Sequence, residues 1–490
     1  PDLDLVGRLW QSLGGDPEQV DAVRLTGPRR VLPSAFDVTR LATAAVAVAT
    51  LAAAACHAAR TGSVVPAGSV VPAGAVVPAG TGVPAVTVDR RRASAAFFSE
   101  GLFRPIGWEL PPVWDPIAGD YPAADGWIRL HTNYRHHRDA VERVLGPVAD
   151  REATARRVAT WAAGDLETAV VEAGGCAAAM HDRTAWLAAP AGAATAAEPV
   201  AHVSARPSAP AAHLLRPGPL PYAGLRVLDL TRVIAGPVAT RFLAAYGADV
   251  LRVDPRGFAE VPAVVPDVTA GKHCAALDLT EPADRAAFER LLTGADVLVS
   301  GLRPGALAGI GYGDDALSAL NPGLVTVCHD AYGWSGPWQG RRGFDSLVQM
   351  SCGIAAAGAA AAGTDRPTPL PVQALDHATG YLVAASVGLA VRRAVVDSAA
   401  SDVRCSLIGT ANLLWDLPDP DGFGAPKPVW SAEDTEPTET FWGPARRVPA
   451  PGGIAGVSPA WRVNPGPLGR HEPAWQARPA PAGAAGAPRG

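Results

Sequence analysis

Between Leu225 and Cys328 the chain alternates short apolar runs with helical stretches, joined by short connections. Leu225–Leu230, Ala248–Asp254, Ala295–Val299 and Leu324–Cys328 read as strands. Between them fall helical patterns at 235–246, 281–293 and 314–320, and Gly247 closes the first of these. Apolar strands separated by single helices must lie parallel, because each helix carries the chain back to the same edge of the sheet. The expectation is an α/β fold, a doubly wound parallel sheet of Rossmann-like form, with ligands beyond the carboxyl ends of its strands. The segment Thr231–Pro237 ends the first strand and opens a helix, so its N–H groups could receive phosphate. It holds no GxGxxG pattern, which leaves a dinucleotide-dependent oxidoreductase unsupported.

With 490 residues the chain has room for about three domains at ~150 residues each. An apolar share of 48% against 18% charged residues marks a globular chain rather than a disordered one. The net charge of −5 and the lack of a basic run argue against a nucleic-acid partner. Six scattered cysteines without a CxxC pair point to a reduced, cytosolic protein and not to a zinc site. Residues 1–30 carry acidic and basic residues throughout and lack the apolar core of a signal peptide. The run Leu41–Cys56 is mostly alanine and shorter than the ~20 residues that span a bilayer, so it reads as a packed interior helix with no membrane partner.

The first half is organised differently. A helix at about 37–60 and a strand at Pro84–Asp89 flank three Val-Val-Pro-Ala-Gly blocks at 64–80, which read as an extended surface insertion. Residues 1–94 thus form one unit, and 95–205 a second, small α+β unit. The latter has a strand at Trp127–His131 and helices at 138–147, 151–163 and 165–173. The Ala- and Pro-rich stretch 187–220 has little pattern, so a linker is placed at 206–220. A domain at 221–400 and a return segment at 401–490 complete the chain.

Asp376 is the candidate nucleophile on local grounds, a lone carboxylate between an apolar strand-like run and an apolar helix-like run. On local pattern alone a helix N-cap, a position that favours aspartate, stands ahead of that reading, and it is the chain upstream that favours the nucleophile.

The ordered series Gly224–Pro237, Gly247–Pro255, Gly271-Lys272, Ala276–Leu279, Ala295–Val299, Arg303-Pro304-Gly305, Leu320-Asn321-Pro322, Tyr332-Gly333 and Gly343-Phe344-Asp345 resembles the family III CoA-transferases. That family includes formyl-CoA and carnitine CoA-transferases and α-methylacyl-CoA racemase. The resemblance implies that 221–400 binds coenzyme A, with acyl-CoA and a carboxylic acid as substrates and no separate cofactor. It implies CoA transfer between carboxylic acids through an aspartyl-acyl anhydride on Asp376. Asp345 is the implied second acid, 31 residues earlier. Coenzyme A is implied to meet Val233, Ile234 and Ala235 on the first loop, Arg256, Leu277, Asp278, Leu279 and Thr280, then Gly301, Leu302 and Arg303, and finally Arg341 and Arg342. The arginines among these would answer phosphate groups by charge-assisted contacts.

The sequence departs from the family at His273, where arginine is usual, and at Ser300-Gly301-Leu302, where Glu-Asn-Phe is usual. In the racemase branch a histidine precedes the second acid. Phe344 stands there in this chain and cannot move a proton, so racemase falls below transferase. A silent acyl-CoA-binding or scaffold protein is the other alternative.

The first 205 residues resemble family segments in a changed order: 38–98 the helix and strand after the nucleophile, and 120–200 the small domain. Leu375–Leu414 supplies the helix and strand again, now with Asp376, and Pro467–His471 resembles the family terminus. The reading is a tandem fusion with a truncated first copy, assembled as a homodimer or as an intrachain pseudo-dimer. Matching Arg60 to Arg393 sets Thr43 opposite Asp376. Matching Thr39 to Thr379 instead sets Phe36 there, beside Asp37. The cluster His131–Arg138 lacks carboxylate or cysteine partners at metal-ligand spacing, so an ordinary strand-end loop is favoured, with a substrate-facing role for His131 or His137 as the alternative.

Overall fold

The computed structural model describes residues 2–61, 82–208, 214 and 218–477, so the repeat blocks of 64–80 lie outside the described residues. The strand–helix alternation builds a sheet of seven strands: β1 (Ala201–Pro207), β2 (Arg226–Leu230), β3 (Asp249–Pro255), β4 (Lys272–Leu277), β5 (Val297–Ser300), β6 (Val325–Asp330) and β7 (Ala399–Ser406). Their order is β4-β3-β2-β5-β6-β7-β1. Every pairing is parallel except β1 against β7. From β2 the chain moves outward to β4, then returns to place β5 on the other side of β2. The loops after β2 and β5 therefore diverge and open a crevice at the switch point.

Helix α1 (Val38–Thr61) packs along α4 (Ala374–Val396), while α2 (Ala235–Ala245), α4 and α5 (Leu407–Trp415) begin at this crevice and α3 (Asp345–Ser351) begins beside it. The two long ones are apolar almost all round, the pattern of helices that lie inside a core. Their small residues let backbones approach. A Cβ on Gly388 of α4 would come within 2.9 Å of the Ala52 Cβ on α1. One on Gly380 would meet the Ala235 carbonyl of α2 at 2.5 Å. By length and composition both α1 and α4 could cross a bilayer, but here they are buried against each other, α4 also against the large sheet and α1 against the strand Val86–Asp89. The expected interior helix is thus present, although it runs for 24 residues, so burial and not length is what distinguishes it.

Two arginines tie the halves together reciprocally. Arg60, in the last turn of α1, donates to the carbonyls of Leu214, Pro221 and Ala223, in the segment leading into β2. Arg393, near the end of α4, donates to the Leu13 carbonyl ahead of the strand Val23–Thr26. That strand pairs in parallel with Val86–Asp89 in a small sheet closed by Gly453–Ile454. A second small sheet, 119–122 with 127–130 and 177–179, carries the helices Arg135–Leu145, Arg151–Val158 and Ala163–Glu172 and forms the α+β unit.

Two expected boundaries fall inside strands. The stretch 187–220 is not all linker: Pro190–Thr195 is helical, and β1 is the antiparallel edge of the large sheet. As an edge strand it exposes most of its side chains, so it lacks the apolar alternation that reveals a strand. The domain end expected at 400 cuts β7, which sits between β6 and β1. The tail returns along the other edge, where the Cys274 N–H donates to the His471 Nδ1 and the His471 N–H to the Cys274 carbonyl.

Candidate active site

Asp345 is the first residue of α3 and is buried. One of its carboxylate oxygens accepts the backbone N–H groups of Leu375 at 2.8 Å and Asp376 at 3.0 Å, while the other accepts the Gln349 amide. The Asp345 carboxylate thus satisfies N–H groups that the first turn of α4 leaves unpaired. Asp376 itself lies in the first turn of α4, third from its start, and the N-cap position is Gln373, so the N-cap reading fails for it. Burial pushes the Asp345 carboxyl up to about 6 against the pull of these donors. Asp376 is held well above the ordinary carboxyl range, by burial first and then by the charges of Asp345 and Glu100. A basic, poorly hydrated carboxylate is a stronger nucleophile once it is ionised. Its neighbour His377 turns into the core, stacked on Phe97 and bonded to Glu100 at 3.0 Å.

The loop after β2 is set by a buried polar network. The Lys272 ammonium and the Thr240 hydroxyl donate to one oxygen of Asp229, and the Thr231 N–H donates to the other. Two residues on, Val233 has φ of +63°, a strained left-handed conformation for a β-branched residue. Its N–H donates to Glu260 at 2.9 Å, and Glu260 is itself held by Arg252 and by the Tyr134 hydroxyl.

Two cavities meet at Asp376. A cleft of about 370 Å³ at the switch point is lined by Arg232, Val233, Ile234 and Ala235, by Gly301–Pro304, and by His329, Asp330, Arg341 and Arg342. The α+β unit adds Tyr134, His136 and His137. A second chamber of about 360 Å³ is mainly apolar. Asp376, Val233, Ile234 and Phe344 line both, and Asp345 lines the second alone. The cleft collects four arginines. Arg341 stacks on Trp338 and is paired with Glu167, whereas Arg303 and Arg342 have no carboxylate partner among the described residues.

Most of the residues singled out from the sequence come together here, and five do not. Arg256 lies on the surface, paired with Asp284 at 2.8 Å. Leu277 is buried in the core beneath the edge of the sheet. Asp278, Leu279 and Thr280 form a turn outside the cleft, in which Asp278 accepts the Thr280 N–H and hydroxyl. The local reason is Asp284, which draws both Arg256 and the Asp278 N–H toward the helix Pro282–Gly294 and away from the crevice.

Sequence reasoning missed His329 and Asp330 on the cleft wall. Burial pushes the His329 imidazole down to about 4, and its Nε2 has no hydrogen-bond partner among the described residues. Burial lifts Asp330 to about 8. Both stand at the carboxyl end of β6, and that position was the available signal. Glu100 and Glu260 gave no signal in sequence. His131, weighed only weakly, stacks flat on Phe344 with centroids 3.6 Å apart and lines the apolar chamber.

The fold and the site define an α/β protein with a switch-point cleft, an apolar chamber behind it, and a buried carboxyl group, Asp376, where the two meet. Residues 222–417 match CoA-transferase family III. The chain is similar to the acetyl-coenzyme A transferase nodX of Hypoxylon pulicicidum, 37% identical over 164 residues, or 33% of this chain and 28% of that one. It is also similar to the probable fatty acyl-CoA transferase Rv3272 of Mycobacterium tuberculosis, at 33% identity over 34% of this chain and 45% of that one. A third relative is the succinyl-CoA–L-malate CoA-transferase beta subunit of Chloroflexus aurantiacus, at 35% identity over 35% and 45%. The chain thus spans less than half the length of these relatives. The crystal structure of Rv3272 overlays with a TM-score of 0.36 at 30% identity, covering 40% of this chain and 56% of that one.

Proposed function

We propose that the protein transfers CoA between carboxylic acids through a covalent acyl intermediate on Asp376. The observation that carries this reading is the position of Asp376, the one acid shared by an arginine-lined cleft and an apolar chamber. The cleft suits the phosphates of an acyl-CoA, which Arg303 and Arg342 would meet with charge-assisted bonds. The chamber suits the acyl group, leaving the thioester carbon beside Asp376.

In the first step an Asp376 carboxylate oxygen bonds to the thioester carbonyl carbon. The C–S bond breaks and its electron pair leaves as the CoA thiolate, giving an aspartyl-acyl anhydride. The anhydride keeps the thioester's activation, so exchange of the acid and return of the thiolate regenerate a thioester without further energy input. Asp345 acts by position: it holds the first turn of α4 and so fixes the Asp376 main chain.

Tyr134, His136 and His137 reach the cleft from the α+β unit of the same chain, which favours an intrachain pseudo-dimer over a homodimer with shared sites.

The test is peptide mass spectrometry after incubation with a panel of acyl-CoAs and hydroxylamine, which converts the anhydride into a hydroxamate. A hydroxamate on Asp376 that is absent from Asp376→Ala is expected. Binding of CoA with no modification from any donor would leave a silent acyl-CoA-binding protein.

A further inference from the structure

The chamber beside Asp376 constrains which acids can use it. Its walls are Leu110, Val113 and Trp114 from the first half, Val261 and Val264 from the segment after β3, and Phe344. Its ionisable residues are Glu100, His131, Asp345 and Asp376, with no lysine or arginine among the described lining residues. His131 is buried and held well below its ordinary range, by burial first and then by His137 and Arg129, so it supplies no positive charge. Glu100 is already committed to His377.

A carboxylate in such a place has no cation to pair with and faces like charge, which is the costly way to bury an ion. Besides the half-buried Gln373 amide, two fully buried neutral polar atoms are left free for a ligand. The Ser346 hydroxyl and the His131 Nδ1 are buried without hydrogen-bond partners among the described residues, and both residues line the chamber. They can serve the single reacting carboxyl group, and the apolar wall takes the rest.

We propose that this chamber accepts the tail of an uncharged, apolar monocarboxylic acid and rejects dicarboxylic acids. The inference rests on the assignment of Asp376 as the acyl acceptor, and it adds the class of acid.

The experiment uses the full chain with donors matched in length, butyryl-CoA against succinyl-CoA and hexanoyl-CoA against adipoyl-CoA. The readout is the rate of hydroxamate formation on Asp376. The monocarboxylic donors are expected to label at least ~100-fold faster. Equal or faster labelling by succinyl-CoA or adipoyl-CoA would overturn the proposal while leaving the Asp376 chemistry intact.

Leu110→Arg sets a cation at a partly exposed position on the chamber wall, where folding is spared. It should raise adipoyl labelling relative to hexanoyl by about 10-fold or more, and an unchanged ratio would show that the tail lies elsewhere. If no donor labels Asp376, the transfer reading fails, and the chamber is judged alone by saturation-transfer NMR with hexanoate and adipate. Contact with hexanoate that Leu110→Arg weakens would sustain the apolar site, and contact with adipate only would end it.

Discussion

The carboxylate of Asp345 accepts the main-chain N–H of Asp376 at 3.0 Å, so the two acids are joined through backbone rather than by a shared proton between side chains. The arrangement lets one carboxylate be a fixed acceptor while the other faces the cavities. It also makes the two charges feel each other, since the Asp345 charge adds to burial in holding the Asp376 carboxyl above its ordinary range.

Asp345→Asn should therefore change the pH dependence of acylation in a definite sense. Removing the neighbouring negative charge makes ionisation of Asp376 easier, so the acid limb of its labelling profile moves to lower pH. An asparagine oxygen can still accept one of the two N–H groups, which keeps α4 in place. A limb that stays where it was, with labelling merely weaker, would mean that Asp345 matters to the helix and not to the charge on Asp376.

The arginines of the cleft are expected to act on binding. Arg303→Ala and Arg342→Ala each remove one charge-assisted contact, worth about 1.5–3 kcal/mol, and should raise KM for acyl-CoA about 10-fold or more with kcat within about twofold. The loss should shrink at high ionic strength. Arg256→Ala provides the contrast, because that guanidinium is engaged with Asp284 on the surface and KM should not move. A large effect at Arg256 would place the phosphates on the other side of the loop after β3.

Asp330 gives a prediction about stability. Its carboxyl titrates at about 8 in the fold because burial penalises the charge, with only the Gly333 N–H answering it. In the unfolded chain it titrates near 3.9. Between those values the folded state binds the extra proton, so this group's contribution to stability falls as pH rises from about 4 to about 8. Asp330→Asn carries no such penalty. Its stability relative to the unsubstituted chain should rise across that window, by on the order of 2 kcal/mol at pH 8, since relaxation offsets part of the shift. Chemical denaturation at several pH values reads this directly, and a constant difference would show that Asp330 ionises freely.

How much of this was legible in the sequence follows from how each element announces itself. β2, β3, β5 and β6 are covered on both faces and read as apolar runs, so the sheet and its switch point could be anticipated from them. β1 could not, because an edge strand with polar exposed faces resembles a loop. At the site, Val233 follows from its place in the loop that ends β2, whereas Gly301 follows only from the family resemblance. Arg256 occupies a similar place but was drawn off by Asp284, a choice made by a side chain 28 residues away. Glu260 and Glu100 act through partners 27 and 277 residues distant, and no local pattern encodes such distances.

Val233 offers the last and sharpest test, because strain and function point in opposite directions there. A β-branched residue at φ +63° costs roughly 1–3 kcal/mol, and it persists because Glu260 holds its N–H. Val233→Gly removes the steric penalty but loosens the unfolded chain by about 0.4–1 kcal/mol, so folding stability should stay level or rise slightly. The loop then has more conformations to choose from, and Val233 is part of the wall between cleft and chamber. The rate of Asp376 labelling should fall about 10-fold even though the protein is no less stable. Glu260→Gln should lower both quantities, since it also leaves Arg252 with one ion pair fewer in the interior. If Val233→Gly instead labels at the full rate, the strained turn is a by-product of packing, and the division between the two cavities rests on the other shared residues, Ile234, Phe344 and Asp376.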